Sequence, residues 1–145
     1  MRTRAAVVTI GLSLALTGCG GNTKAPVAQP TATVASTADE ARTKAAKTAV
    51  AKAVKAYSAA LVAGKGKRAF PMLSARCRKV IGASGFSALA AQAHHTYPHA
   101  RLKKVTVTDV KGAKAHVTYT YSATILNQKK QPWVKEKGHW RWNGC

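Results

Sequence analysis

The chain has 145 residues and carries 24 Lys/Arg against four Asp/Glu, a formal charge of +20. That length bounds the chain to one domain with one hydrophobic core. The four acids, Asp39, Glu40, Asp109 and Glu136, leave little material for paired-carboxylate catalysis, and the basic excess speaks to solubility and to polyanions rather than to a fold.

Met1-Arg2-Thr3-Arg4 is a short basic start, and Ala5 to Leu16 is an uncharged, mostly apolar run. It is too short to cross a bilayer, which takes about 20 apolar residues. A basic n-region, a short apolar stretch and small residues at its end mark a removable export signal over residues 1–18. Leu16-Thr17-Gly18-Cys19 resembles the lipobox of bacterial lipoproteins, in which the cysteine is acylated and becomes the first residue of the mature chain. The resemblance implies lipidation at Cys19 and a location on the extracytoplasmic face of the cell membrane. Losing Arg2 and Arg4 with the signal takes the formal charge from +20 to +18. Cys77 and Cys145 then remain in a compartment that permits oxidation, and two thiols allow one pairing.

Residues 19–37 read as a lipidated cysteine and a disordered linker. The stretch from Gly20 holds Pro26 and Pro30, lacks aromatics and cannot bury enough apolar surface to offset the entropy of ordering. Thr37-Ala38-Asp39-Glu40 has the capping-box pattern, so a helix is expected to start there and a domain to span residues 38–145. Val50, Val54, Tyr57 and Leu61 form one helical stripe, with Lys44, Lys52 and Lys55 opposite; Gly64-Lys65-Gly66 ends it. Pro71 divides the next stretch into a short helical turn and a second piece around Cys77. Ser84 is placed to cap a further helix whose inner face would carry Phe86, Leu89, Ala90, Ala93 and Tyr97, with Tyr97-Pro98 as its end.

From Arg101 the period becomes two. Val105 and Val107 alternate with polar residues, Asp109 to Gly112 reads as a turn, and Ala115, Val117, Tyr119, Tyr121, Ala123 and Ile125 alternate with hydroxyl and imidazole side chains. Asn127 to Pro132 reads as a polar loop. Lys137-Gly138 between two aromatic-bearing segments signals a hairpin. Helices followed by an antiparallel meander define an α+β class.

The Leu73-Ser74-Ala75-Arg76-Cys77 segment and the final Trp133-Val134-Lys135-Glu136-Lys137-Gly138-His139-Trp140-Arg141-Trp142-Asn143-Gly144-Cys145 segment, behind a long first helix, resemble actinobacterial envelope lipoproteins with a nuclear transport factor 2-like domain. The resemblance covers roughly residues 40–145. It implies a cone, as in nuclear transport factor 2-like and cystatin-like folds: a curved antiparallel sheet wrapped around helices, with an apolar pocket at the wide end. It also implies a disulfide between Cys77 and Cys145. Tyr57, Phe86, Tyr119, Tyr121 and Trp140 are the candidates to line such a pocket, against the alternative that they are simply core.

Catalytic members of that superfamily need a carboxylate, alone or with a histidine, inside the pocket. None of the four acids falls at an inward strand position, so no catalytic residue is assigned. His94-His95 and His99 invite a metal reading, but Pro98 breaks the helical spacing and no thiolate or carboxylate is near, so no metal or cofactor is expected. Cys77, flanked by Arg76 and Arg78, could serve as a nucleophile, a reading weaker than its pairing.

The expected function is non-catalytic binding or scaffolding at the cell envelope by a membrane-anchored protein, its ligand unassigned. One rival is a small-molecule pocket enzyme of isomerase or hydratase type. The other is a basic module for polyanions, such as anionic lipid or wall polymers. No specific nucleic-acid partner is expected outside a membrane. Because the positive charges run from Lys24 to Arg141 without a block, the basic surface is expected to tune association without a single recognition site.

Overall fold

A computed structural model describes residues 32–145, with side chains from Thr37 onward. The export signal, Cys19 and the linker up to residue 31 lie outside the described residues. Helix α1 (Ala32–Val62) is followed by α2 (Gly66–Ala69), a 3₁₀ turn (Phe70–Met72), α3 (Ala75–Ile81) and α4 (Ala83–Thr96). Strands β1 (Leu102–Lys111), β2 (Lys114–Tyr121), β3 (Gln128–Glu136) and β4 (His139–Trp142) form one antiparallel sheet in the order β1-β2-β3-β4. The class is α+β, a long helix laid on a four-stranded open sheet.

The stripe Val50, Val54 and Tyr57 is buried against Ala115, Val117, Tyr119 and Tyr121 of β2 and Trp133 of β3. The period of 3.6 on the helix and of two on the strand bring these apolar faces together. N-terminal to Val50, α1 leaves the sheet: among residues 37–49 every side chain but the half-buried Ala46 is exposed. Leu73 pairs in parallel with Trp142, and the Ser74 N–H donates to the Trp142 carbonyl (2.8 Å), so the segment before α3 borders the sheet beyond β4. Gly66 lets α2 approach α4 closely; a Cβ there would stand 2.5 Å from Ser87 Cα. Lys137 (φ 48°) and Gly138 (φ 81°) make the β3–β4 turn, a pair of positive φ values that matches strand twist.

Several sequence expectations need correction. Helix α1 starts at Ala32, ahead of the expected start at Thr37. No proline or glycine lies between Ala32 and Thr37, and extending a nucleated helix is far easier than starting one. Helix α4 begins at Ala83 after Gly82 (φ 73°), with no side-chain cap, so Ser84 is helical rather than capping. Leu89 is 60% exposed because α2 and α1 cover only the side of α4 that bears Phe86 and Ala90. Asp109 lies within β1, opposite His116, and not in the turn. The β2 alternation stops at Tyr121; a 3₁₀ turn (Thr124–Leu126) leaves Ile125 73% exposed. Residues from Gln128 through Pro132 are strand rather than loop. Pro132 is tolerated there because it lacks only the donor, and its carbonyl still accepts from the Asn143 N–H (2.9 Å).

Candidate functional site

The buried face of the sheet does not close completely on α1. Near the C-terminal end of α1 a cavity of about 120 Å³ is walled by Tyr57, Tyr119, Tyr121, Trp142 and Gln128 together with aliphatic side chains such as Leu61 and Leu126. Tyr57 stacks on Trp142 (ring centroids 6.0 Å, 12° between planes), and Tyr119 meets Tyr121 edge to face at 6.0 Å. Tyr121 donates its hydroxyl to Ser58 Oγ across 2.8 Å, and Ser58 is fully buried.

Burial pushes all three phenols up from their ordinary value of about 10. Tyr121 adds to the rise of Tyr57, Tyr57 and Tyr121 add to that of Tyr119, and the Ser58 hydrogen bond opposes the rise of Tyr121. At neutral pH the wall therefore presents neutral hydroxyls and π faces. The volume is comparable to a cavity that accepts one benzene-sized molecule, and it is well below the roughly 300 Å³ at which ordinary small-molecule pockets begin.

Tyr57, Tyr119 and Tyr121 converge on the cavity. Phe86 does not wall it; it packs deeper, 6.4 Å from the Tyr57 ring and 6.1 Å from Phe70. Trp140 sits toward the β3–β4 hairpin, where it lines a separate groove with Lys52, Met72, His139 and Arg141. Trp142 takes the place expected of Trp140. The spacing of two puts both indoles on one face, and pairing of Trp142 with Trp133 sets it nearer to Tyr57. Gln128 falls in the polar stretch that reads as a loop, so its inward position has no signal in the sequence.

The titratable groups are elsewhere. The Glu136 carboxylate accepts from the Ala75 N–H through both oxygens (3.1 Å each) at the start of α3. Asp109 faces His116 Nδ1 at 3.1 Å on an exposed part of the sheet, and Asp39 stands 3.5 Å from Arg42. The His94 Nδ1–H donates to the Val62 carbonyl (2.8 Å) at the junction of α4 and α1. Among the described residues no three His, Cys, Asp or Glu gather as a metal site.

Cys77 and Cys145 are joined as a disulfide with Cα atoms 5.5 Å apart. Around it, Arg76 donates to the Asn143 and Cys145 carbonyls (2.7 and 2.9 Å), fastening the segment after β4 to α3. No protein-family model matches the chain, and no curated protein matches it.

Proposed function

We propose that this protein is an exported lipoprotein, held at the extracytoplasmic face of the cell membrane by acylated Cys19, whose α+β domain is a nuclear transport factor 2-like cone with a binding or scaffolding role and no catalysis. The observation that carries the non-catalytic reading is the cavity wall. Its polar atoms are neutral phenols, an amide and an indole, so a substrate seated there would meet no group titrating near neutrality. The Cys77–Cys145 bridge supports an oxidising compartment. Replacing Cys19 with Ala tests the reading. The wild type is expected in the membrane pellet and the variant in the soluble fraction, since two or more acyl chains hold a protein firmly where one does not. Equal partitioning of the two proteins would sink it. The second reading, a module for polyanions, is favoured by one arrangement of lysines on the sheet.

A further inference from the structure

The two register shifts at the β2 C-terminal end of the sheet each fall on a pair of lysines. In β1, Leu102 pairs with Tyr121 and Lys104 with Thr120, so Lys103 is an extra residue with no counterpart. In β3, Gln131 pairs with Val117 and Gln128 with Tyr119, so Lys129 and Lys130 together face Thr118 alone. Lys130 takes a left-handed conformation (φ 47°) and its N–H donates to Thr118 Oγ1 across 3.1 Å. Bulges of this kind re-aim side chains and locally interrupt the ladder, and the left-handed Lys130 is part of that geometry.

These bulges put Lys103-Lys104 on one side of β2 and Lys129-Lys130 on the other, all four exposed. Neighbouring strands lie about 4.8 Å apart, so the two pairs flank β2 at about 10 Å. Between them the outward residues of β2 are Thr118 and Thr120, which alternate with the buried Tyr119 and Tyr121. Arg101 is exposed beside them. Among the described residues no helix packs on this face, as α1 lies on the other side with the core. The acids are at the opposite end: Asp109 near the β1–β2 turn, Glu136 at the β3–β4 hairpin, and Asp39 and Glu40 on the free half of α1. Among the described residues the ion pairs are Arg42–Asp39 and His116–Asp109, and neither touches these lysines. Like charges gathered on both sides of one strand repel one another unless something neutralises them.

We infer that the hydroxyl strip of β2 with its two flanking lysine pairs is a binding site for a linear, phosphate-bearing polymer. Lysine ammonium groups are suited to phosphate as point charges, and threonine hydroxyls donate to phosphate oxygens. One phosphate carries at most about two charges at neutral pH and would leave the four ammonium groups only half neutralised, whereas successive phosphates of one chain can engage all four. The strip offers no apolar side chain to enter a bilayer. This goes beyond the envelope reading and relies on it for the polymer's location alone. It also replaces the expectation of evenly spread charge, because residues 103–104 and 129–130 are distant in sequence and are assembled by the fold.

The test measures binding of the full chain, in neutral detergent, to long-chain polyphosphate over a range of salt. Four contacts to a single-stranded polyanion give a log–log salt slope of about −3, a loss of about 50-fold between ~50 and ~200 mM salt. K103Q/K104Q/K129Q/K130Q should remove most of that slope, and each pair alone about half. The charge-matched control K44Q/K47Q/K52Q/K55Q on α1 should bind like wild type. Inorganic phosphate should compete only at far higher phosphate concentration than the polymer. Equal losses in the two quadruple variants, absence of polyphosphate binding, or competition by inorganic phosphate at matched concentration would each overturn the proposal. So would a cluster variant that loses binding to phosphatidylglycerol vesicles but keeps polyphosphate, which would make a bilayer the partner. None of these readouts depends on acylation of Cys19, which membrane fractionation scores separately.

Discussion

Ser74 Oγ donates to Asn143 Oδ1 across 2.7 Å while accepting from the Cys77 N–H at 3.1 Å. One buried hydroxyl thus caps α3 and ties it to the chain beyond β4. A helix N-cap contributes about 0.5–2 kcal/mol, and a buried partner left unsatisfied costs about 1–3 kcal/mol. S74A should therefore lower unfolding free energy by about 2 kcal/mol, read by urea denaturation. A midpoint equal to that of wild type would show that the network contributes nothing.

The disulfide closes a loop with a sequence separation of 68. In the chain-entropy model a loop of that size contributes about 4 kcal/mol, by restricting the unfolded chain. C77S/C145S should show that loss in denaturant. Adding reductant should bring the wild type toward the variant. Two free thiols trapped in the unreduced protein would contradict the pairing.

The phenols predict an alkaline limit. Tyr57, Tyr119 and Tyr121 all have values raised above 10 in the folded state. A raised value means the folded state holds the proton more tightly than the unfolded chain. The resulting stability is complete below about pH 10 and is lost as pH rises from there toward the folded-state values. Tyrosinate absorbance from these three should therefore appear together with loss of far-ultraviolet circular dichroism. Their ionisation near pH 10 with the fold intact would contradict their burial.

Trp133 is fully buried and meets Tyr57 edge to face at 5.8 Å. Removing so large a side chain typically costs about 3–5 kcal/mol. W133A is expected to unfold the domain or bring it to marginal stability. W140F, at the hairpin groove, should cost far less, because phenylalanine keeps most of the buried ring and the indole N–H, unpartnered as in Trp133, loses no hydrogen bond. Melting temperatures of the two variants measure the difference.

The parts of the fold legible in the sequence are those in which one periodicity reports one buried face. Val50, Val54 and Tyr57 on α1, and Ala115 through Tyr121 on β2, announced the two surfaces that meet in the core. What escaped depends on partners rather than on local pattern. Ile125 continues the alternation of β2, yet the chain has already turned by then. Pro132 and four polar residues before it look like loop until β2 supplies a strand to pair with. The bulges at Lys103 and at Lys129-Lys130 exist only as a mismatch between two registers, so no single segment encodes them. In the cavity, the tyrosines were readable from the β2 alternation and the α1 stripe. The choice of Trp142 over Trp140 needed the pairing of β3 with β4.

In the proposed reading the chain is exported, cut before Cys19 and acylated there. Intact mass and N-terminal peptide mapping of protein recovered from the membrane fraction test it most directly. The expected chain begins at Cys19 and carries the mass of acyl groups on that residue. A chain that keeps Met1–Gly18, or that begins elsewhere with an unmodified Cys19, would contradict it.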